Sequence, residues 1–581
     1  MRKGHGIGGG GRRVCHHRLL LTAALCVAVV CVGAQVVTGK RDSIRMTRQE
    51  TADTTRKVPS TRGDRQGTVR PAAKSKVFLL HSDLLRRMAD HPDAQIVTGN
   101  VQFRHDSVYM YCDSACYYDR TSSFEAFGNV RMEQGDTLFL YGDRLYYDGL
   151  TQIAQMRENV RMENRTTTLL TDSLNYDRVY GLGYFFDGGT MMDDQNVLTS
   201  EWGEYSPQTK QSVFNYNVRL VNPQFTLTSD TLRYNTASKV ADIVGPSDIW
   251  SDGNHIWSEK GTYNTVTGKA DLYDRSVLTS GERRLTGDTL LYDRTTGVGE
   301  AFSRMVMTDT VNRNMMTGEY GYYNELTKSA FATDSAVAVD WSQGDSLYLH
   351  ADTLRMETFH LDTDSMFREM RAYHRVRFFR TDVQGTADSL VFSTLDSCLT
   401  MYRDPIVWNG NQQLVGEVMK VYMNDSTIDW SHIIGQALSV ERLQNDSTLY
   451  NQVSGKEIKS YFSGGEMKKT EVIGSVRVVY YPMDSDSTLI GMNVSETSKL
   501  EIYLENQKIE RMVMSPKSSG TLYPMTQIPV GKDKLDNFVW FDYIRPRDRY
   551  DIFRWRGKRV EDQLKKSVRG PVELPNSHLF K

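Results

Sequence analysis

Residues 125–148, EAFGNVRMEQGDTLFLYGDRLYYD, contain a pattern that recurs through much of the chain. The stretch ends with an acidic residue, a leucine and a tyrosine spaced two apart, Asp143, Leu145 and Tyr147, and then a turn-forming Asp148. When the sequence is written in rows of 29 residues, one column reads Tyr147, Tyr176, Tyr205, Tyr234, Tyr263 and Tyr292. Only 31 of the 581 residues are tyrosines, so six in register indicate an internal repeat.

Neighbouring columns of the repeat predict β-structure. The acidic column is Asp143, Asp172, Glu201, Asp230, Glu259 and Asp288, and the column after the tyrosines is Asp148, Asp177, Ser206, Asn235, Asn264 and Asp293, all turn formers. A spacing of two places the acid, the leucine and the tyrosine on one face of a strand. Return segments alternate likewise, for example Phe214, Tyr216, Val218 and Leu220. Each repeat is therefore predicted to be strand, polar turn, strand.

One such repeat cannot bury its apolar face alone, but copies stacked about 4.8 Å apart bury a continuous interior. The residues predicted to line that interior are Leu145, Tyr147, Met162, Leu174, Tyr176, Met191, Leu220, Leu232, Tyr234, Ile249, Leu278, Leu290, Tyr292 and Met307. The same residues would suit an apolar crease that is open to a lipid or the packed core of a ligand-free β-solenoid, and the sequence leaves both readings open.

Composition divides the chain into five predicted segments. Residues 1–34 combine basic residues with an uncharged apolar run at 19–34, which predicts a signal peptide; an uncleaved anchor is the alternative. Residues 35–76 are predicted to be a disordered basic linker. The repeat array is placed at 77–440, with a divergent continuation at 441–515 and a C-terminal basic tail at 516–581. A solvated tail is expected there, and contact with anionic lipid or a partner is the alternative.

The net charge of −2 excludes a uniformly basic nucleic-acid-binding protein, but it conceals an uneven distribution. Residues 1–76 carry +12 and residues 545–569 carry +6, so the body at 77–544 carries −20. An acidic exterior is unfavourable for ligands that carry anionic groups. Any such ligand is therefore expected to be held by its apolar part, in the interior.

Catalytic and metal-binding patterns are missing from the sequence. It contains no HExxH, GxSxG or Walker motif, and its 12 histidines form no ligand-spaced cluster. Cys112 and Cys116 would lie too far apart along one strand for a disulfide. The acidic column could hold divalent cations or act in acid/base pairs, but solvated strand starts that bond to turns are the expected role. The sequence therefore predicts a protein that is not an enzyme and uses no cofactor or metal.

Three stretches, GDTLLYDRTTGVGEAFSRMVM (287–307), residues 125–148 and AQIVTGNVQF (94–103), resemble the OstA-like or LptA-like family of lipopolysaccharide transport, in its long Bacteroidota-type form. The resemblance implies an all-β fold, an elongated β-jellyroll ("β-taco") solenoid that holds acyl chains in its crease. It also implies a periplasmic protein, peripheral to the inner or outer membrane, that bridges toward the outer membrane. The implied partners are lipopolysaccharide, through its lipid A acyl chains, and other Lpt-type jellyrolls joined end to end by β-augmentation.

The main alternative is a parallel β-helix that acts as a polysaccharide-active enzyme or as an adhesin. Such proteins typically concentrate Asp, Arg and His in one outward groove. Here the same acidic, leucine and tyrosine columns recur in every row, and no row is enriched in catalytic residue types. This uniformity favours transport.

Overall fold

The computed structural model of the protein describes residues 76–562, apart from 88–92, 343, 425–426, 445, 485–487, 506–507 and 560–561. The predicted signal peptide, all but the last residue of the predicted linker, and the end of the predicted tail lie outside the described residues. The described residues divide into two compact units, called here the N-terminal unit (76–273) and the C-terminal unit (274–562).

The N-terminal unit consists of strands. They are β1 Phe78–His81, β2 Leu84–Arg87, β3 Gln95–His105, β4 Val108–Tyr118, β5 Ser123–Gln134, β6 Leu138–Asp148, β7 Ile153–Asn164, β8 Thr167–Asp177, β9 Leu182–Phe185, β10 Gly189–Asp193, β11 Asn196–Ser200, β12 Trp202–Tyr205, β13 Gln211–Asn222, β14 Phe225–Asn235, β15 Val240–Ser251, β16 Asn254–Asn264 and β17 Lys269–Tyr273.

The C-terminal unit has twenty-one strands and two short 3₁₀ helices among its described residues. The strands are β18 Val277–Ser280, β19 Arg283–Thr286, β20 Thr289–Asp293, β21 Val298–Asp309, β22 Asn314–Asn324, β23 Ser329–Thr333, β24 Val337–Asp340, β25 Leu347–His350, β26 Thr353–Phe359, β27 Phe367–Phe379, β28 Val383–Ser393, β29 Cys398–Tyr402, β30 Ile406–Asn409, β31 Gln412–Val415, β32 Val418–Asn424, β33 Thr427–Arg442, β34 Tyr450–Ser463, β35 Glu466–Tyr480, β36 Met492–Glu505, β37 Lys508–Ser515 and β38 Ser519–Tyr523. The helices are Met525–Gln527 and Asp551–Phe553. The predicted all-β fold class is confirmed.

Each long strand bends at its middle. In the antiparallel pair of β5 and β6, Ser123 pairs with Asp148 and Gln134 pairs with Leu138, but the register shifts between Phe127 and Val130. The same interruption recurs between β7 and β8, between β13 and β14, and between β21 and β22. The two halves of each strand therefore belong to two walls. Wall A contains the halves beside turns such as 134–138, wall B contains those beside turns such as 148–153, and a corner joins them.

Left-handed backbone pairs form the corners. They include Gly128 and Asn129, Glu158 and Asn159, Tyr216 and Asn217, Ser303 and Arg304, and His374 and Arg375, all with positive φ. Two such residues insert a bulge that turns the strand. The acidic column closes the corner from the neighbouring strand: Asn159 Nδ2 donates to Asp143 at 2.5 Å, and the Arg304 guanidinium donates to Asp288 at 2.7 and 3.0 Å. The carboxylates thus stabilise the bend.

At the corners, the side chains do not lie on the strand faces that simple alternation predicts. Gly142 and Leu145 are buried, whereas Asp143 and Arg144 between them both point outward. Tyr216, which simple alternation places inside, is 64% exposed, and Ser303 is exposed as well. The prediction that the acid shares a face with the leucine and tyrosine is wrong, because each corner adds an outward residue and shifts the alternation by one.

The turns of wall B follow the prediction. Asp148 Oδ1 accepts a hydrogen bond from the backbone N–H of Leu150 at 2.8 Å. Asn235 Oδ1 accepts from the N–H groups of Ala237 and Ser238, each at 2.9 Å. Asp177, Asn264 and Asp293 make the same contacts in their own rows. These side chains satisfy turn N–H groups and so end each strand at the same place.

Candidate functional site

The predicted interior columns lie between the two walls. Of the fourteen residues predicted to line the interior, thirteen are at most 3% exposed. Met307 is half-buried and lies against a cavity. The burial of these columns agrees with the repeat, while their contact with lipid stays a prediction.

In the N-terminal unit the tyrosine rings of wall B are buried, and the hydroxyls of Tyr147, Tyr205 and Tyr234 reach the turns of wall A. The Tyr147 hydroxyl lies 2.6 Å from His105 Nδ1 and accepts a hydrogen bond from Arg178 at 2.6 Å. The Tyr234 hydroxyl donates to Asp193 Oδ2 at 2.8 Å and accepts from Asn196 at 2.9 Å. These cross-wall bonds, with that of Tyr205 to Asn164, form a polar line called here the mouth seam.

Charged side chains reinforce the mouth seam. Lys239 Nζ lies 2.8 Å from Asp193 and 2.5 Å from Asp194. Burial by itself would lower the pKa of Lys239, but its hydrogen bonds to the two carboxylates raise it overall. Lys210 contacts Asn164, and burial lowers the pKa of Lys210. The mouth of the N-terminal unit is therefore held closed by polar contacts above an apolar interior.

The interior of the C-terminal unit widens into a first cavity of about 70 Å³, about the volume of two waters. Its floor is apolar and draws on both walls: Met307, Met316, Leu349, Leu354, Met356 and Met370. Arg283, Asp309 and Arg368 lie at its rim. This arrangement combines a flexible apolar floor with a charged mouth.

A second cavity, of about 130 Å³, lies farther along the C-terminal unit. Its apolar lining includes Leu414, Val453, Ile458, Val472, Val478 and Met512. Its polar side includes Glu441, whose carboxylate accepts a hydrogen bond from Asn451 Nδ2 at 3.1 Å. Burial raises the pKa of Glu441. The second cavity thus also combines an apolar lining with a polar side, but no arginine or lysine is among its described lining residues.

The methionines of the first cavity are functional candidates that the sequence reasoning missed, except for Met307. A usable signal existed, because seven of the 25 methionines fall between residues 305 and 370. Methionine is unbranched and polarisable, so it fills irregular space and repacks around varied apolar shapes. The 29-residue columns did not reveal this cluster because the period loosens after Tyr292.

Residues 533–556, called here the strap, cross the outer face of wall A in the C-terminal unit. Gln413 and Gln452 are fully buried and hold the strap through its backbone. Gln413 Nε2 donates to the Val539 carbonyl at 2.9 Å, and its Oε1 accepts from the Phe541 N–H at 2.7 Å. In the same way, Gln452 Nε2 donates to the Asp533 carbonyl at 2.8 Å, and Gln452 Oε1 accepts from the Leu535 N–H at 2.9 Å. A solvated tail is therefore the wrong expectation for this stretch.

The strap covers an apolar outer face. Phe541 packs in one buried cluster with Trp408 and Leu438, and Ile552 packs with Val337 and Val339. In 406–408 all three residues are buried, which marks a strand covered on both faces. In the sequence these residues are Ile406, Val407 and Trp408, and this apolar run without polar alternation was the signal that the outer face is covered.

The distal half of the strap reaches His350. The Phe553 ring centroid lies 4.9 Å from that of His350, whose Nδ1 is 2.9 Å from the Ala336 carbonyl. Burial lowers the pKa of His350 to about 4, with a smaller contribution from Arg377. His350 is therefore neutral at pH 7 in the folded protein.

Comparisons with known proteins bear on the family. Residues 74–230 match the model of the OstA-like protein family. None of the curated proteins compared matches the sequence. Among solved structures, one match is LptH, the LptA-homologous periplasmic component of the lipopolysaccharide transport device of Pseudomonas aeruginosa, at 12% identity and a TM-score of 0.14. It covers 26% of this chain and 82% of that chain, and such a TM-score supports no further conclusion.

Among the described residues, no helix is both long and apolar enough to cross a membrane. The family match covers the first rows of the repeat, including Asp143, Leu145, Tyr147 and the equivalent residues of the next rows. The resemblance to the OstA-like family is confirmed for residues 74–230, which match the family model and include the stretches 94–103 and 125–148; the stretch 287–307 lies outside this match.

Proposed function

We propose that the protein is a periplasmic lipopolysaccharide-binding transport protein that holds acyl chains between its two walls and passes them toward the outer membrane. Transport of this kind needs binding and release, with no bond made or broken. The OstA-like match and the apolar interior support the proposal.

The observation that carries the proposal is an apolar column that continues from strand to strand. In wall A of the C-terminal unit, Met307 pairs with Met316, Met316 with Ala338, and Ala338 with Leu349. Each buried methylene contributes about 0.8 kcal/mol, so a 14-carbon chain gains roughly 10 kcal/mol. Equivalent neighbouring sites let such a chain move without exposure to water. The column supplies no energy, so direction must come from an external motor or sink.

Entry of a chain requires the walls to part, because cavities of about 70 and 130 Å³ hold only a few methylenes. Flexible methionines in the first cavity can give way. The mouth contacts are polar, so water can satisfy the groups that separate. Each such hydrogen bond contributes only about 0.5–1.5 kcal/mol net, which a buried acyl chain offsets.

End-to-end contact with another Lpt-type jellyroll is part of the proposal. In the described residues β1 and β2 both pair with β3, on its outer side. Phe78, Leu80, Leu84 and Leu85 on these two strands are exposed. A strand edge that has no partner strand among the described residues and carries apolar side chains is suited to β-augmentation by another protein.

Photo-crosslinking in intact cells tests lipopolysaccharide binding. A photoreactive side chain at Met307 or Met356 should capture lipopolysaccharide, since both residues line the first cavity. The matched control is Arg284, exposed on β19 beside the buried Leu285. A folded, exported protein that gives no adduct at Met307 and Met356, or equal adducts at Arg284, would contradict the proposal.

A further inference from the structure

The rim of the first cavity contains two guanidinium groups from opposite walls. Arg283 lies on β19 of wall A, where its Nε donates to Asp309 at 3.3 Å and its Nη1 donates to the Tyr323 hydroxyl at 2.5 Å. Arg368 lies on β27 of wall B, on the same face as Met370 of the cavity floor. Both guanidiniums therefore border the space above the apolar floor.

Asp309 does not neutralise both arginines. Its carboxylate accepts hydrogen bonds from the Asn312 N–H at 2.9 Å and from Asn312 Nδ2 at 2.8 Å, besides that from Arg283. Burial by itself would raise the pKa of Asp309, but these donors lower it overall, so the carboxylate is ionised. It is one negative charge beside two positive charges.

Arg368 has unused hydrogen-bonding capacity. Its Nε is buried and has no hydrogen-bond partner among the described residues. Burial lowers the pKa of Arg368, and Arg283 is the next largest cause, which agrees with two guanidiniums lying close together. A buried, unpaired N–H of a charged group is costly unless a ligand satisfies it.

The other charged groups of this cavity lie elsewhere along it. Arg355 is paired with Glu357 at 2.7 Å. Asp309 pairs with Asn314, which in turn pairs with Asp340, so the two aspartates lie two strands apart, at a distance of about 10 Å. Asp340 accepts hydrogen bonds from Ser342, and burial raises its pKa. The local excess of positive charge is therefore confined to Arg283 and Arg368.

We propose that Arg368, with Arg283, binds one anionic head group, a phosphate or carboxylate, of an amphiphile whose chain lies on the methionine floor. This inference rests on the proposed function, since it adds a head-group site to the apolar crease. A guanidinium binds such oxyanions with two parallel charge-assisted hydrogen bonds. The site would place a positive pair inside a body that carries −20.

Calorimetric titration of the full-length protein tests the site, with dodecyl phosphate, dodecanol and inorganic phosphate as probes below micelle-forming concentrations. The wild-type protein should bind dodecyl phosphate about tenfold or more tightly than dodecanol, the effect of one charge-assisted contact. Arg368→Gln should abolish that preference, and Arg368→Lys should keep part of it. The matched control is Arg371→Gln, on the outer face of the same strand, where Arg371 pairs with Glu357 and Glu369.

The outcomes separate the head-group site from the crease. If wild type and Arg368→Gln bind both alkyl probes equally well, the head-group site is refuted while binding in the crease stands. If inorganic phosphate binds as tightly as dodecyl phosphate, the site serves free phosphate, and the amphiphile is the wrong ligand. If neither alkyl probe binds to the folded wild-type protein, both the head-group site and the proposed function fail.

Discussion

At the scale of single residues, the repeated tyrosine serves two roles that phenylalanine could not combine. Its ring fills the apolar interior, and in Tyr147, Tyr205 and Tyr234 its hydroxyl reaches polar groups at the mouth. The sequence predicted the buried positions, because the 29-residue period and the burial pattern depend on near neighbours. It could not predict the hydroxyl partners: Tyr234 meets Asp193 and Tyr205 meets Asn164, each 41 residues away and on the other wall.

Tyr234→Phe tests the mouth seam. The substitution removes the hydroxyl that donates to buried Asp193 and accepts from Asn196. Because a buried carboxylate then loses a donor, the free energy of unfolding should fall by about 1–3 kcal/mol. Tyr216→Phe, at an exposed tyrosine, is the control and should leave it nearly unchanged. If urea denaturation gives the same free energy of unfolding for both variants, the hydroxyls of the mouth seam do not stabilise the fold.

His350 predicts an acid-dependent loss of stability. Its pKa is about 4 when folded, against about 6.5 in an unfolded chain. Between these values the unfolded state binds more protons, so the stabilisation present above pH 6.5 is lost as the pH falls toward 4. His350→Gln should remove this component, so that variant and wild type converge in stability as the pH falls. His374→Gln, at an exposed histidine, should keep the wild-type dependence of the free energy of unfolding on pH, measured by urea denaturation across this range. The same dependence in His350→Gln would contradict the assignment to His350.

At the scale of elements, strands and turns were predictable and corners were not. Asx-type turns after Asp148 or Asn235 are local, so the sequence signals them directly. The corners use residue types as different as Gly128 with Asn129 and Ser303 with Arg304. In the sequence, the alternation of apolar and polar residues continues through the corner, although the backbone adds an outward-facing residue there. The acidic column was the available signal, since each carboxylate lies opposite a left-handed pair.

Asn159 tests the left-handed requirement at a corner, where its φ is 52°. Both Asn159→Gly and Asn159→Val remove the amide that donates to Asp143 at 2.5 Å. Valine also has to adopt the left-handed conformation, which costs a β-branched residue about 1–2 kcal/mol more than glycine. Thermal unfolding should therefore rank the valine variant below the glycine variant. The opposite ranking would mean that the corner relaxes to an ordinary strand.

The glutamine contacts of the strap predict local changes in amide hydrogen exchange. Gln413→Ala removes the acceptor of the Phe541 N–H, so that amide should exchange faster. The Leu535 N–H, which donates to Gln452, should keep its wild-type rate. Gln452→Ala is the matched variant and should produce the reverse pattern. Uniform acceleration at both amides would instead show that the strap detaches as one piece.

At the scale of the whole molecule, regular repetition set the limit of what the sequence could reveal. The all-β fold class and the buried columns followed from the rows up to Tyr292. The two cavities and the strap lie in the C-terminal unit, where the period loosens and contacts span long separations, such as the 128 residues between Gln413 and Phe541. Pairing over such distances leaves little local trace. Ten of the fourteen predicted lining residues lie in the packed interior of the N-terminal unit, and of all fourteen only Met307 lines the first or second cavity.

The central claim, that acyl chains enter between the walls, is tested most directly by an electron-spin distance measurement across the mouth of the C-terminal unit. Spin labels belong on two exposed turn residues that follow wall A and wall B strand halves, Val311 and Leu326. Intact lipopolysaccharide should lengthen the distance between the labels, and deacylated lipopolysaccharide should leave it unchanged. An unchanged distance while intact lipopolysaccharide remains bound would contradict entry between the walls.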